Sequence, residues 1–195
     1  MILIFATHNA KKLIEAQSIL PASVVIKSLV DVAYDQEIIE NADTFEGNAT
    51  LKTDAIFSAF GEACFADDSG LVVPSLNGLP GVKSARYASD SMPVDHQANN
   101  DKLLQALNNE SDRSAYFISV VCLKLPNQTE LYFEGRVTGR IAESPQGDMG
   151  FGYDPIFIPD GHTQTFAELG PAVKNQISHR ARALNQMSAF LQSQI

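Results

Sequence analysis

Short apolar runs alternate with stretches of helical periodicity along this chain. Ile2 to Ala6 reads as a short, fully buried strand. Thr7-His8-Asn9-Ala10-Lys11-Lys12 then opens a helix through about Leu20, with Leu13, Ala16, Ile19 and Leu20 on its apolar side and Thr7 or Asn9 as its cap. Val24 to Ser28 reads as a second strand, and residues 31 to 43 as an acidic, irregular segment. Thr44 caps a helix to about Phe60 whose stripe is Phe45, Ala49, Ile56 and Phe60. Lys52 falls on that stripe with Asn48 one turn earlier, so the lysine either snorkels out or meets a negative partner.

The central apolar run, Cys64 to Val73, is interrupted by Asp67-Asp68-Ser69-Gly70. Successive strand side chains point to opposite faces, so only one of the two acids can face a given cleft. Asp68 is read as the chemical end of the strand, with Gly70 permitting a turn; a plain polar turn between two strands is the alternative. A punctuated loop at 76 to 82 leads to Arg86, which is either a phosphate contact or a surface residue. Pro93 to Leu107 reads as helix, and 115 to 125 with 130 to 138 as two strands joined by Pro126-Asn127-Gln128-Thr129. Ile156 to Ile158 is a short strand, and Thr165 to Leu169 a helical turn. Ser178 caps a last helix that buries Ala181, Leu184 and Leu191.

Composition narrows the class. The 195 residues suit one domain, 1 to 195, and the hydrophobic content of 45% is that of an ordinary core. The net charge of −9 argues against a nucleic-acid coat, so any basic cluster is local and aimed at a small anion. Cys64 and Cys122 sit in apolar runs at no metal or disulfide spacing, which predicts buried, reduced thiols. The run from Met1 to Phe5 is too short for a signal core, and no run could cross a bilayer. The expectation is a cytoplasmic protein without membrane partners.

The candidate chemistry lies in three places. Lys11 and Lys12 sit at a helix N-terminus, where the dipole already disfavours cations; His179 and Arg180 sit at another. An anionic ligand accounts for both, as do solvated side chains. The Gly147 to Pro155 segment is glycine-rich and aromatic. Its glycines admit a flat ligand, Phe151 offers a stacking face, and Asp154 an acceptor for a base edge. Acids at the central strand suit a hard divalent cation that keeps several waters, as Mg2+ does. Together these features suit a nucleoside triphosphate, with water as the attacking group oriented by Asp68 and metal charge.

These segments carry a resemblance. Thr7 to Lys12, Thr44-Phe45-Glu46-Gly47-Asn48-Ala49 with Lys52, Ala66-Asp67-Asp68-Ser69-Gly70-Leu71, Gly81 with Ser84-Ala85-Arg86-Tyr87, Gly150 to Pro155, and Ile177-Ser178-His179-Arg180 occur in that order. In this the chain resembles the inosine triphosphate pyrophosphatase family of non-canonical purine nucleoside triphosphatases. The resemblance implies a mixed α/β fold, a twisted sheet with flanking helices and two lobes around a central cleft, working as a homodimer. It implies Mg2+-dependent hydrolysis of inosine, deoxyinosine and xanthosine triphosphates to monophosphate and pyrophosphate.

By position, Asp68 is then the proton acceptor and a metal ligand, with Glu40 the second acid. Thr7, His8, Asn9, Ala10, Lys11, Lys12 and Lys52 hold phosphates, and Ser69 touches the substrate. Phe151 stacks on the base, within the segment that continues Gly152, Tyr153 and Asp154, and Asp154, Lys174, His179 and Arg180 surround it. Donors such as Arg180 would favour a six-position oxygen over an amino group. The chain departs from the family where an acidic pair is expected before Thr44: Ile39-Glu40 leaves only Glu40. A pyrimidine-directed pyrophosphatase of the related septum-inhibitor-like (Maf-like) fold and a non-catalytic nucleotide sensor are the other readings.

Overall fold

The structure is a computed structural model that describes residues 1–90 and 93–193. Six strands form one mixed sheet in the order β2-β1-β3-β4-β5-β6. They are β1 (Ile2–Phe5), β2 (Val25–Lys27), β3 (Cys64–Val72), β4 (Ser114–Lys124), β5 (Leu131–Ile141) and β6 (Phe157–Pro159). β1 runs parallel to both β2 and β3, whereas β5 and β6 are antiparallel. The helices are α1 (Ala10–Ile19), α2 (Phe45–Phe60), α3 (His96–Ala106), α4 (Phe166–Ile177) and α5 (His179–Ser193). Among the described residues no helix is long and apolar enough to cross a membrane.

Local chemistry sets the helix ends. Asn9 is the cap of α1, its side chain accepting from the Lys11 and Lys12 amides at 3.0 and 3.3 Å. Thr44 caps α2 through the Gly47 amide, and the helix stops at Gly61, which takes the left-handed conformation at φ 65°. Asp95 caps α3, so that helix begins at His96 and not at Pro93. Thr165 and Glu168 form a reciprocal capping box at the start of α4. α4 runs on to Ile177, past the single turn expected, with a non-helical kink at Gly170. β5 likewise extends to Ile141, three residues past the Thr138 expected, and β1 is buried at Leu3 to Phe5 but exposed at Ile2, so the first strand is not fully buried.

The main correction concerns β3. The strand does not end at Asp68 or turn at Gly70 but stays extended through Val72. Alternation sends Asp67 and Asp68 to opposite faces, and each finds cationic partners there, which is what allows carboxylates inside a core strand. The α2 stripe also differs. Its buried face is Asn48, Ala49, Lys52, Thr53 and Ile56, whereas Phe60 is exposed.

Packing groups the chain into two compact units. Unit 1 comprises Met1–Asp68, Ser119–Gly135 and the segment from Arg180 onward. Its core stacks Phe5 on Phe65, with centroids 4.3 Å apart, against Ala183, Leu184, Met187 and Leu191 of α5. Ala181 is buried as well, so the apolar face read for this helix holds. Cys64 and Cys122 are free and buried in this unit. Burial pushes the Cys64 thiol up to about 12, which keeps it protonated and unreactive. Unit 2 comprises Ser69–Ile118 and Arg136–His179, with a core around Leu71, Leu103, Phe117, Phe157 and Phe166.

Candidate active site

In unit 1 three elements bring full charges together. The α1 cap turns Lys12 toward β3, where its Nζ lies 3.0 Å from Asp67 Oδ1. Arg180, at the start of α5, donates from Nε to Asp67 Oδ2 at 3.0 Å and from Nη1 to Glu15 of α1. Asp67 and Arg180 are almost fully buried. Burial pushes the Asp67 carboxyl up, but Lys12, Arg180 and Lys52 outweigh it and hold the group well below the usual range. Lys12 is also lowered, but from the opposite balance: burial, helped by the neighbouring Lys52 and Arg180, outweighs the raising effect of Asp67.

The opposite face of β3 carries the second constellation. Asp68 Oδ2 accepts from Asn48 Nδ2 at 3.2 Å, and Asp68 Oδ1 lies 3.5 Å from Lys52 Nζ. The same ammonium meets Glu40 Oε2 at 2.7 Å. Lys52 on the α2 stripe is therefore a buried cation shared by two carboxylates. Burial lowers its affinity for the proton, and Asp68 and Glu40 more than compensate. Asp68 is raised by burial, against the pull of Lys52 and Lys12. A carboxylate moved upward toward neutral pH is better matched to general-base work than an ordinary aspartate.

Among the described residues no cluster of three metal-binding side chains occurs. Glu40 and Asp68 supply two hard oxygen donors gathered on one ammonium. That donor set fits a cation that keeps water and takes its remaining oxygens from phosphate.

Unit 2 holds a different kind of site. Gly150 takes φ 84°, and a Cβ there would stand 2.2 Å from Asp154 Oδ2. That absent side chain lets the Asp154 carboxylate fold under its own loop and accept from the Phe151 amide at 2.8 Å. The same oxygen meets Lys174 Nζ at 2.7 Å, and this ammonium lies 4.2 Å from the centroid of the half-buried Phe151 ring. Tyr153 donates its hydroxyl to the Ser84 carbonyl at 2.8 Å. His179 lies flat on Phe117, centroids 4.8 Å apart and planes 11° apart.

Thus the structure brings Lys12, Lys52, Glu40 and Asp68 into one charged region of unit 1. It brings Phe151, Gly152, Tyr153, Asp154 and Lys174 into one loop region of unit 2. His8, Asn9, Ala10 and Lys11 stand exposed around the start of α1, Thr7 is half-buried beside them, and Ser69 is half-buried in β3. Arg86 is exposed. Arg180 Nε and Nη1 bond Asp67 and Glu15. Asp154 Oδ2 likewise serves its own loop and Lys174. Sequence reasoning missed Asp67 as the partner of Lys12 and Arg180, although strand alternation already required it to face away from Asp68. It also missed Glu15, which carries no motif signal, as a partner of Arg180, and it gave no role to Ser84, although that residue lies in the segment from Ser84 to Tyr87.

Comparison with known proteins places these features. The Ham1 family model matches residues 3–190. A dITP/XTP pyrophosphatase of Flavobacterium johnsoniae is 48% identical over 191 residues, 98% of each chain. One of Bacillus subtilis is 44% identical over 193 residues, covering 97% of this chain and 96% of the relative. The solved structure of the Staphylococcus aureus Ham1 protein superimposes with a TM-score of 0.91 at 38% identity and covers both chains in full. With a family model over nearly the whole length and full-length relatives at 44 and 48% identity, this chain belongs to the Ham1 family.

Proposed function

We propose that this protein is a dITP/XTP pyrophosphatase, hydrolysing non-canonical purine nucleoside triphosphates such as dITP, XTP and ITP to the monophosphate and pyrophosphate. The observation that carries the reading is the Asp68 carboxylate, raised by burial and held by Asn48 and Lys52, with Glu40 on the same ammonium. Full-length relatives at 44 and 48% identity are dITP/XTP pyrophosphatases, which supports it.

In this reading the residues of unit 1 handle the reacting end. Lys12, Lys52 and the exposed amides and side chains from Thr7 to Lys11 take the phosphate oxygens. Asp68 accepts the proton of the water that attacks the α-phosphorus, and Asn48 fixes the carboxylate that receives it. The oxygen–phosphorus bond to the β-phosphate breaks, and pyrophosphate leaves with its charge neutralised. Glu40 and Asp68 would hold the divalent cation, for which we propose Mg2+; when bound it would supply charge neutralisation and a more acidic water. Arg180 and Lys12 keep Asp67 ionised, so the strand on which Asp68 sits stays in place.

The residues of unit 2 take the base and its surroundings. Phe151 stacks on the purine, Gly152 and Tyr153 bring backbone close to it, and Asp154 with Lys174 sets the ring of Phe151. His179, fixed on Phe117, offers a hydrogen-bonding edge, and Ser69 touches the substrate. We assign the whole chain to one functional domain, active as a cytoplasmic homodimer without nucleic-acid or membrane partners.

A pyrophosphate-release assay tests this across ITP, dITP, XTP, GTP, ATP and thymidine triphosphate, with and without Mg2+. Turnover of the first three, dependent on the cation, is expected. Preference for thymidine triphosphate would replace this reading with a pyrimidine-directed one. Ligand-induced stabilisation with no pyrophosphate release would replace it with a sensor.

A further inference from the structure

Two adjacent asparagines on α3, Asn99 and Asn100, are each 3% exposed, an unusual setting for a polar amide. Both reach segments of unit 2. Asn99 is used at both ends. Its Nδ2 donates to the Ala85 carbonyl at 3.0 Å, and its Oδ1 accepts from the Ala88 amide at 2.7 Å. Such full pairing is the ordinary way to bury an amide. Asn100 is used at one end only. Its Nδ2 donates to the Gly152 carbonyl at 3.2 Å, while its buried Oδ1 has no hydrogen-bond partner among the described residues.

The orientation of that amide follows from chemistry. A carbonyl only accepts, so the nitrogen of Asn100 must be the atom facing Gly152. The residue therefore keeps one bond to a loop carbonyl at the cost of one unpaired buried acceptor, which is a poor exchange for packing alone. Four residues earlier on the same helix face, His96 lies with its ring centroid 6.5 Å from that of Phe151. α3 thus meets the Gly150 to Asp154 loop from outside, at Phe151 and at Gly152, while Asp154 holds it from within. Gly152 has no Cβ and takes φ 64°, so its own backbone does little to fix the carbonyl.

We propose that Asn100 is a positioning residue for nucleobase binding: through the Gly152 carbonyl it sets the place of the Phe151 ring. The assignment rests on the reading of this loop as the base site. It adds a residue outside the loop to the set that determines base affinity, and it predicts a defect confined to the base end of the substrate.

Asn100→Ala and the isosteric Asn100→Asp, which keeps the size and loses the donor, test it in the full-length protein. The KM for ITP is expected to rise about five- to tenfold, the size of one hydrogen bond, with kcat within about twofold of the parent. The inhibition constant of inorganic tripolyphosphate, which has no base, is expected to stay unchanged. Hydrogen exchange at the Phe151 amide should quicken, with that of the β3 amides unaltered. Unchanged exchange at Phe151 in both variants, whatever the KM, overturns the assignment. KM and tripolyphosphate inhibition rising together overturn it too, because the defect would then be general. Faster exchange with an unaltered KM for ITP overturns instead the reading of the loop as the base site.

Discussion

The charged region of unit 1 and the glycine–aromatic loop of unit 2 are built on opposite principles. In unit 1, α1, β3, the 31–43 segment, α2 and α5 each send in one or two formal charges, and the side chains are held by one another. In unit 2 one short segment is folded over a single carboxylate paired with one ammonium, Lys174, and the other bonds are to backbone amides and carbonyls. The first arrangement is costly to assemble, because every charge must be taken out of water before its partner compensates. The second needs little charge and depends on glycines that let a carboxylate fit beneath the chain. Perturbing a charge in unit 1 should therefore damage reaction or stability, whereas perturbing the loop should damage affinity for the base.

The largest effect is expected at Asp68. Asp68→Asn keeps the size of the side chain and removes the proton acceptor, so turnover should fall by roughly 10²- to 10⁴-fold. Nucleotide affinity, measured by calorimetry, should persist; a variant with parental kcat would break the division drawn above. Next comes Asp67→Asn, which leaves Lys12 and Arg180 without their shared carboxylate. Removing one partner of a buried pair costs about 3–5 kcal/mol, read from urea unfolding.

The pH dependence of that loss has a definite sign. Asp67 is depressed in the folded state below its ordinary value of 3.8. Its stabilisation is therefore present above that value and disappears as pH falls through the lower folded value. The parent should lose stability on acidification below roughly pH 4 that the Asp67→Asn variant has already lost.

A change in unit 2 should be smaller and of another kind. Phe151→Ala removes the stacking face and the ring under the Lys174 ammonium, which keeps its carboxylate partner Asp154. A stack on an aromatic ring is worth about 1–3 kcal/mol, so the KM for ITP should rise roughly 5- to 150-fold with tripolyphosphate inhibition unaltered. The smallest expected effect is a titration shift. In the metal-free protein the Asp68 carboxyl, followed by NMR, should titrate above 3.8, because burial raises it. Added Mg2+ should move it down, since a cation favours the charged form. A titration insensitive to Mg2+ would remove Asp68 from the metal site.

Much of both regions was legible in the residues. Asn9 as a cap, Lys52 on the inner face of α2, and the apolar face of α5 followed from periodicity and capping chemistry, which are local. For Lys52 the residues offered two outcomes, snorkelling out or meeting a negative partner, and did not name Glu40 as that partner. The end of β3 was misplaced because adjacent acids resemble a turn when their partners are out of view. Asn100 was invisible for the same reason: its bond joins positions 52 residues apart.

The sequence by itself determined the order of strands and helices, the two free thiols, and the family, since motifs, caps and alternation are short-range properties of the chain. Only the tertiary structure decided which cation meets which acid. Alternation along β3 separates Asp67 from Asp68, but it was the approach of α1 and α5 that assigned Lys12 and Arg180 to the first. The approach of α2 assigned Lys52 to the second. Ion pairing depends on distance in space and on exclusion of water, and neither is encoded in spacing along the chain.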